Sequence, residues 1–257
     1  MKEYRLTFLG TGTSTGVPSI GCDCRTCSSL DPRDKRLRAS VILTLPSGRN
    51  LLIDCGPDFR TQILRIGSPD LEAALITHSH YDHVGGIDDL RPYCADGRNF
   101  PLYCQADVEK DLRERNPWSF AENPYPGVPT FDIHTVEPFA PFKIAGQKII
   151  PIPVMHGELP ILGYRIGPIA YITDCKTIST EAIKALEGLD TLVINALRLL
   201  PHQSHMNLNT ALNIIRKINP QKAYLTHMSH DMPPHAQVVL PPGVWLAHDG
   251  QTVTVPA

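Results

Sequence analysis

The sequence predicts an α/β fold built as one unit, and three observations lead there. Its 257 residues, 42% of them hydrophobic, are enough to bury a substantial core. Short apolar runs of strand length come in groups, with stretches of helical periodicity between them. The clearest helical stretch, 208–218, sets Leu208, Ala211, Leu212, Ile215 and Ile218 on one stripe before Pro220 stops the pattern.

Taken in order, residues 6–9 and 41–45 read as strands, and 50–54 as a third that ends on the carboxylate of Asp54. Pro57 suits the first turn of a helix running to about Ile66. An apolar strand over 71–77 leads directly into a histidine cluster, and a helix fits 106–115. Residues 116–141 carry six prolines among Trp118, Phe120 and Tyr125 and read as an ordered loop; lid, dimer contact and plain surface are the roles open to it. Strands follow at 148–154, 169–173, 191–194, 223–226 and 252–255, with helices at 180–186 and 208–218. The glycine-rich opening from Gly10 to Gly16 follows a strand, but its spacing is not that of a dinucleotide-binding turn, and it reads as turn chemistry.

A formal charge of −2 gives no basic field to favour long nucleic acid or an anionic membrane. No apolar run approaches the roughly 18 residues of a membrane span, and the N-terminus is too broken by charge and glycine for a secretory segment. A cytoplasmic location is therefore expected. The seven cysteines are then reduced thiols or metal ligands rather than a disulfide framework, and their odd number agrees.

Within Thr77-His78-Ser79-His80-Tyr81-Asp82-His83, three imidazoles and a carboxylate fall inside six residues. In an extended segment His78 and His80 point the same way, so both reach one metal. Asp82 and His83 come after the chain turns and suit a second metal about 3.5–4 Å away. This pattern resembles the signature of the metallo-β-lactamase superfamily. The resemblance implies a four-layer αββα fold, two facing mixed sheets flanked by helices, with further ligands just past later strands. His156, Asp174 and His227 stand in such places. Position by position, it implies one metal on His78, His80 and His156, a second on Asp82, His83 and His227, Asp174 bridging both, and Asp54 orienting ligands from behind. A carboxylate at Asp174, where serum-type β-lactamases usually present cysteine, disfavours antibiotic hydrolysis, and neighbouring Cys175 should face away.

Cys22, Cys24 and Cys27, in a loop at about 21–28, offer three thiolates for a structural zinc, with His230 the best candidate for the fourth ligand because it lies three residues after His227. With this loop, the Gly163-Tyr164 pair after His156, and His205 before Leu208-Asn209-Thr210, almost the whole chain resembles the PhnP-type cyclic phosphodiesterases of bacterial phosphonate catabolism; PqqB, a coenzyme-pathway protein, looks similar in the cysteine loop. The resemblance implies hydrolysis of a small phosphodiester, such as 5-phospho-α-D-ribosyl 1,2-cyclic phosphate, by a metal-bridged hydroxide. It implies His205 as general acid and, with Asp82 and Asp174, as the catalytic set. Two divalent ions (manganese, zinc or iron) and one structural zinc are the expected cofactors, and a homodimer is compatible with the sequence. The alternatives are a tRNase Z-like RNA 3′-processing nuclease, whose protruding arm has no counterpart here, a glyoxalase II-type thioesterase, which would need an added C-terminal helical domain, and a non-catalytic metal-stabilised scaffold.

Overall fold

Alternation of side chains along each strand sorts the core into three apolar layers. The computed structural model describes residues 2–257, the side chain of Asp96 excepted. In chain order, β1 (Glu3–Gly10), β2 (Ser40–Thr44), β3 (Asn50–Ile53), β4 (Ala73–Leu75), β5 (Phe100–Cys104) and β6 (Phe131–Thr135) lie side by side in one sheet. The next seven, β7 (Phe142–Ile144), β8 (Gln147–His156), β9 (Leu159–Ile166), β10 (Ile169–Ile172), β11 (Thr191–Asn195), β12 (Lys222–Thr226) and β13 (Val244–Leu246), form a second. The last strand, β14 (Thr252–Pro256), returns to pair antiparallel with β1 in the first sheet. Both sheets are mixed: β3 to β6 run parallel, as do β10 to β13, while the remaining pairs are antiparallel.

In β2 and β3, Val41, Leu43, Leu51 and Ile53 face the layer between the sheets, while Ile42 and Leu52 face outward onto Phe59 and Ile63 of α1 (Phe59–Arg65). After α2 (Tyr81–Val84), a one-turn helix, α3 (Ala106–Arg115) adds Val108 and Leu112 to that same outer layer. On the far side, Leu192 and Ile194 of β11 pack outward against α4 (Thr180–Ala185) and α5 (Leu208–Ile218), and Val193 points inward. Helices, sheet, sheet and helices make the four layers that the family resemblance implied.

Several expectations shift. The helix placed at Pro57 begins at Phe59, because Asp58 spends its carboxylate on the backbone N–H and guanidinium of Arg38 rather than capping α1. The strand expected over 71–77 is regular only from Ala73 to Leu75, and beyond it Ile76 bonds to Tyr103 O and Leu162 to Thr77 O. The 116–141 loop contains a short 3-10 turn, Pro117–Phe120, and the edge strand β6. Strands β5, β7, β9 and β13 were not expected at all. No described helix is long and apolar enough to cross a membrane.

Candidate metal centre

Every residue of the predicted centre lies at or just past the C-terminal end of a strand. Asp54 follows β3, His78 to His83 follow β4, His156 ends β8, Asp174 follows β10 and His227 follows β12. To turn a side chain inward there, Asp54, Asp174 and His227 adopt left-handed backbone angles, φ +63°, +55° and +55°. Such conformations cost a non-glycine residue about 1–3 kcal/mol and persist only where the surroundings enforce them.

The side chains meet in the groups the sequence suggested. His78, His80 and His156 place ligand atoms within 4.8 Å of one another, as do Asp82, His83, Asp174 and His227, all four buried. A further group, His156, Asp174 and His205, overlaps both. Cys22, Cys24, Cys27 and His230 converge separately, with His230 Nδ1 3.3 Å from Cys22 Sγ and 3.4 Å from Cys24 Sγ. There the backbone N–H of Cys27 and the His230 ring hold the Cys24 thiol down at about 6, while burial pushes Cys27 up to about 11.

Hydrogen bonds at the back of the rings set their tautomers. Thr77 donates its hydroxyl proton to Asp54 Oδ2 at 3.0 Å, so its oxygen accepts from His78 Nδ1 at 2.9 Å. His83 Nδ1 donates to Asp54 Oδ2 at 2.7 Å, and His156 Nδ1 to the Ser204 carbonyl at 2.8 Å. Nε2 of all three rings is thereby left as a lone-pair ligand. His83 Nε2 then lies 3.2 Å from both Asp82 Oδ2 and Asp174 Oδ2 without hydrogen-bond geometry. His227 Nε2 stands in the same way 3.0 Å from Asp174 Oδ1, and His78 Nε2 faces His80 Nδ1 at 3.0 Å. Nitrogen and oxygen atoms that converge this closely, those of His83 and His227 without hydrogen-bond geometry, fit divalent cations.

The charges agree. Burial alone would neutralise Asp82 and Asp174, but the adjacent His83 and His227 hold both carboxyls below the usual range. Asp54 goes the other way, because complete burial outweighs its bonds to His83 and Thr77. His83 is pushed down by burial yet ends well above its ordinary value through Asp174, Asp54 and Asp82, which draw a second proton to Nε2, the place a bound cation would take instead.

His205 Nε2 donates to Asp174 Oδ1 at 3.0 Å, with its ring 4.5 Å from that of His156. Burial lowers its pKa against the pull of Asp174. Cys175 turns away into the outer apolar layer. Asn195 grips the backbone of Cys175 from both sides, Oδ1 accepting from N and Nδ2 donating to O, and so fixes the turn that carries Asp174. Asn195, Thr77 and Ser204 escaped the sequence reading. Nothing in composition or spacing marks them; only adjacency to His78 and His205 offered a hint.

A family model described as beta-lactamase superfamily domain matches residues 49–228. A solved structure, a diphosphatase from the PhnP family, is 41% identical and superimposes with a TM-score of 0.90 over 98% of this chain and 97% of its own. An octanoyltransferase of Porphyromonas gingivalis is 44% identical over 249 residues, 96% of this chain and 50% of its own length. A ribonuclease Z of Acaryochloris marina is 32% identical over 168 residues, 63% of this chain and 47% of its own. The chain thus spans about half the length of these two curated relatives. The chain belongs to the metallo-β-lactamase superfamily and resembles a member of the PhnP family in fold and sequence.

Proposed function

We propose that this chain is a metal-dependent phosphodiesterase acting on a small phosphodiester such as a cyclic ribosyl phosphate, the diphosphatase relative making a diphosphate a further substrate to test. One metal would be held by His78, His80 and His156, the other by Asp82, His83 and His227, with Asp174 between them; Cys22, Cys24, Cys27 and His230 would hold a structural zinc. Bound manganese, zinc or iron ions supply water activated at neutral pH and neutralise charge on the phosphoryl oxygens.

The observation that carries the reading is His205, an imidazole donating from Nε2 to Asp174 in the midst of the ligand cluster. The alkoxide that leaves a phosphodiester needs a proton, and the protonated His205 ring offers one from Nε2 beside Asp174. His205→Ala should lose roughly 10²–10⁴-fold in turnover on a poorly activated diester while keeping its metals.

The test is metal analysis of the purified protein, together with hydrolysis assays on a cyclic ribosyl phosphate, a diphosphate diester, bis-nitrophenyl phosphate, pre-tRNA and an octanoyl thioester. Turnover of the small diesters is expected. Activity confined to pre-tRNA or to the thioester would replace this reading, and the ribonuclease Z and octanoyltransferase relatives are the reason those arms are included.

A further inference from the structure

Outside the ligand groups, one side chain touches more of the reacting machinery than any role so far explains. Ser204 lies between His156 and His205. Its carbonyl accepts the Nδ1 proton of His156 at 2.8 Å, and its hydroxyl lies 3.0 Å from His205 Nδ1 and 3.3 Å from His202 Nδ1. The two Nδ1 atoms of His205 and His202 are themselves only 3.2 Å apart. The His202 carbonyl in turn accepts from Lys176 Nζ, which ties the segment to the turn after Asp174. Across from Ser204, Gly157 takes φ +62°, and a Cβ added there would stand 3.5 Å from Ser204 Cβ.

Resting on the phosphodiesterase reading, we propose that Ser204 is a positioning residue for the general acid: its hydroxyl holds His205 Nδ1 and so keeps the ring turned with Nε2 toward Asp174. His205 Nε2 faces Asp174, and the Ser204 hydroxyl stands at Nδ1: it donates to Nδ1 when the ring is neutral and accepts from it in the imidazolium, which gives up the Nε2 proton and keeps the one on Nδ1. A hydroxyl suits this place better than an amide or carboxylate because the same oxygen donates and accepts as it rotates. Without it, His205 Nδ1 would have His202 Nδ1 as its nearest partner, and the ring would be free to turn or to exchange tautomer. The carbonyl half of the contact is backbone, so substitution of the side chain leaves the orientation of His156, and with it the metal ligands, in place.

Wild-type, Ser204→Ala and Ser204→Thr proteins, loaded with zinc, would be compared on an alkyl phosphodiester and on a nitrophenyl diester, whose leaving group needs no acid. Ser204→Ala should lose about tenfold on the alkyl ester, the effect of one hydrogen bond, with little change on the nitrophenyl ester and unaltered zinc content. Ser204→Thr, which keeps the hydroxyl, should restore the rate. Independently of activity, nitrogen-15 spectra of the histidine rings in the metal-free protein should show His205 Nδ1 as a hydrogen-bonded acceptor in wild type and in the threonine variant, and move that resonance in the alanine variant. Equal losses on both esters, no loss on either, or a His205 resonance unmoved by Ser204→Ala would overturn the positioning role. A wild-type protein inert on both esters would overturn the phosphodiesterase reading, and the proposal with it.

Discussion

Asp54 is fully buried and bonded to three groups at once, the Thr77 amide, the Thr77 hydroxyl and His83 Nδ1. Its service to the centre is indirect, through the bearing and tautomer of His83. Asp54→Asn keeps the shape but loses acceptor capacity, so metal affinity at His83 should fall about 10–100-fold, as chelator competition would measure; an unchanged affinity would leave Asp54 a purely structural acid. Close by, Gly56 is required by contact rather than by its backbone angles. A Cβ there would stand 2.0 Å from the Asp82 carbonyl. Gly56→Ala must push α2 outward, which should cost about 1–3 kcal/mol in thermal or denaturant unfolding and weaken metal binding at Asp82 and His83 together. The contiguous run His78 to His83 was legible in the sequence because four candidate ligands share one short segment. Thr77, Asn195 and Ser204 were not, because each acts through a partner that tertiary structure brings to it.

Among the elements, α3 and α5 were legible to the residue, since helical periodicity survives in any packing, and α5 adds an Asn207 cap on Thr210 N. Strand β6, FDIHT, went unread because it lies in the proline-rich stretch 116–141 that suggested loop, and β5, FPLYC, is short and carries Pro101. Strand β9 hid for another reason: Pro160 and Gly163 break its propensity, and Gly163 is there because a Cβ would meet Tyr171 O at 2.8 Å. The cysteine segment was legible as a metal loop, but what anchors it was not. Buried Asp34 accepts from Ser29 Oγ at 2.6 Å, Arg36 Nη2 at 3.2 Å and the His235 backbone at 2.9 Å, while Arg36 Nη1 reaches Ser229 O at 3.1 Å. This clamp joins the N-terminal loop to the segment carrying His227 and His230. Removing Arg36 strands the Asp34 charge without solvent, so Arg36→Met should lose about 3–5 kcal/mol of stability by denaturant titration. A loss under about 1 kcal/mol, the worth of a single exposed pair, would mean that Ser29 and His235 alone satisfy the carboxylate.

At the scale of the molecule, the centre is a joint between the two sheets. Asp54, His78, His80, Asp82 and His83 come from the first sheet, and His156, Asp174 and His227 from the second. Between the sheets lies an apolar layer of residues such as Phe8, Leu43, Tyr164, Tyr171 and Val193. That layer is non-directional and holds the sheets together without fixing the ångström-scale register the ligand groups need. The joint sets the carboxyls of Asp82 and Asp174 together out of water, beside the rings of His83 and His227. Cations that bind the folded joint and not the unfolded chain stabilise the whole by mass action, about 2.7 kcal/mol at a free concentration a hundredfold above Kd. Chelation should therefore lower the unfolding temperature in proportion to the logarithm of free metal. It should also loosen amide exchange at the C-terminal ends of β4, β8, β10 and β12 together, because both halves lose the same tie. Exchange that rises at β4 alone, with β8, β10 and β12 still protected, would show that the first sheet holds its metal without the second. The ions would then be passengers on one sheet rather than the link between two.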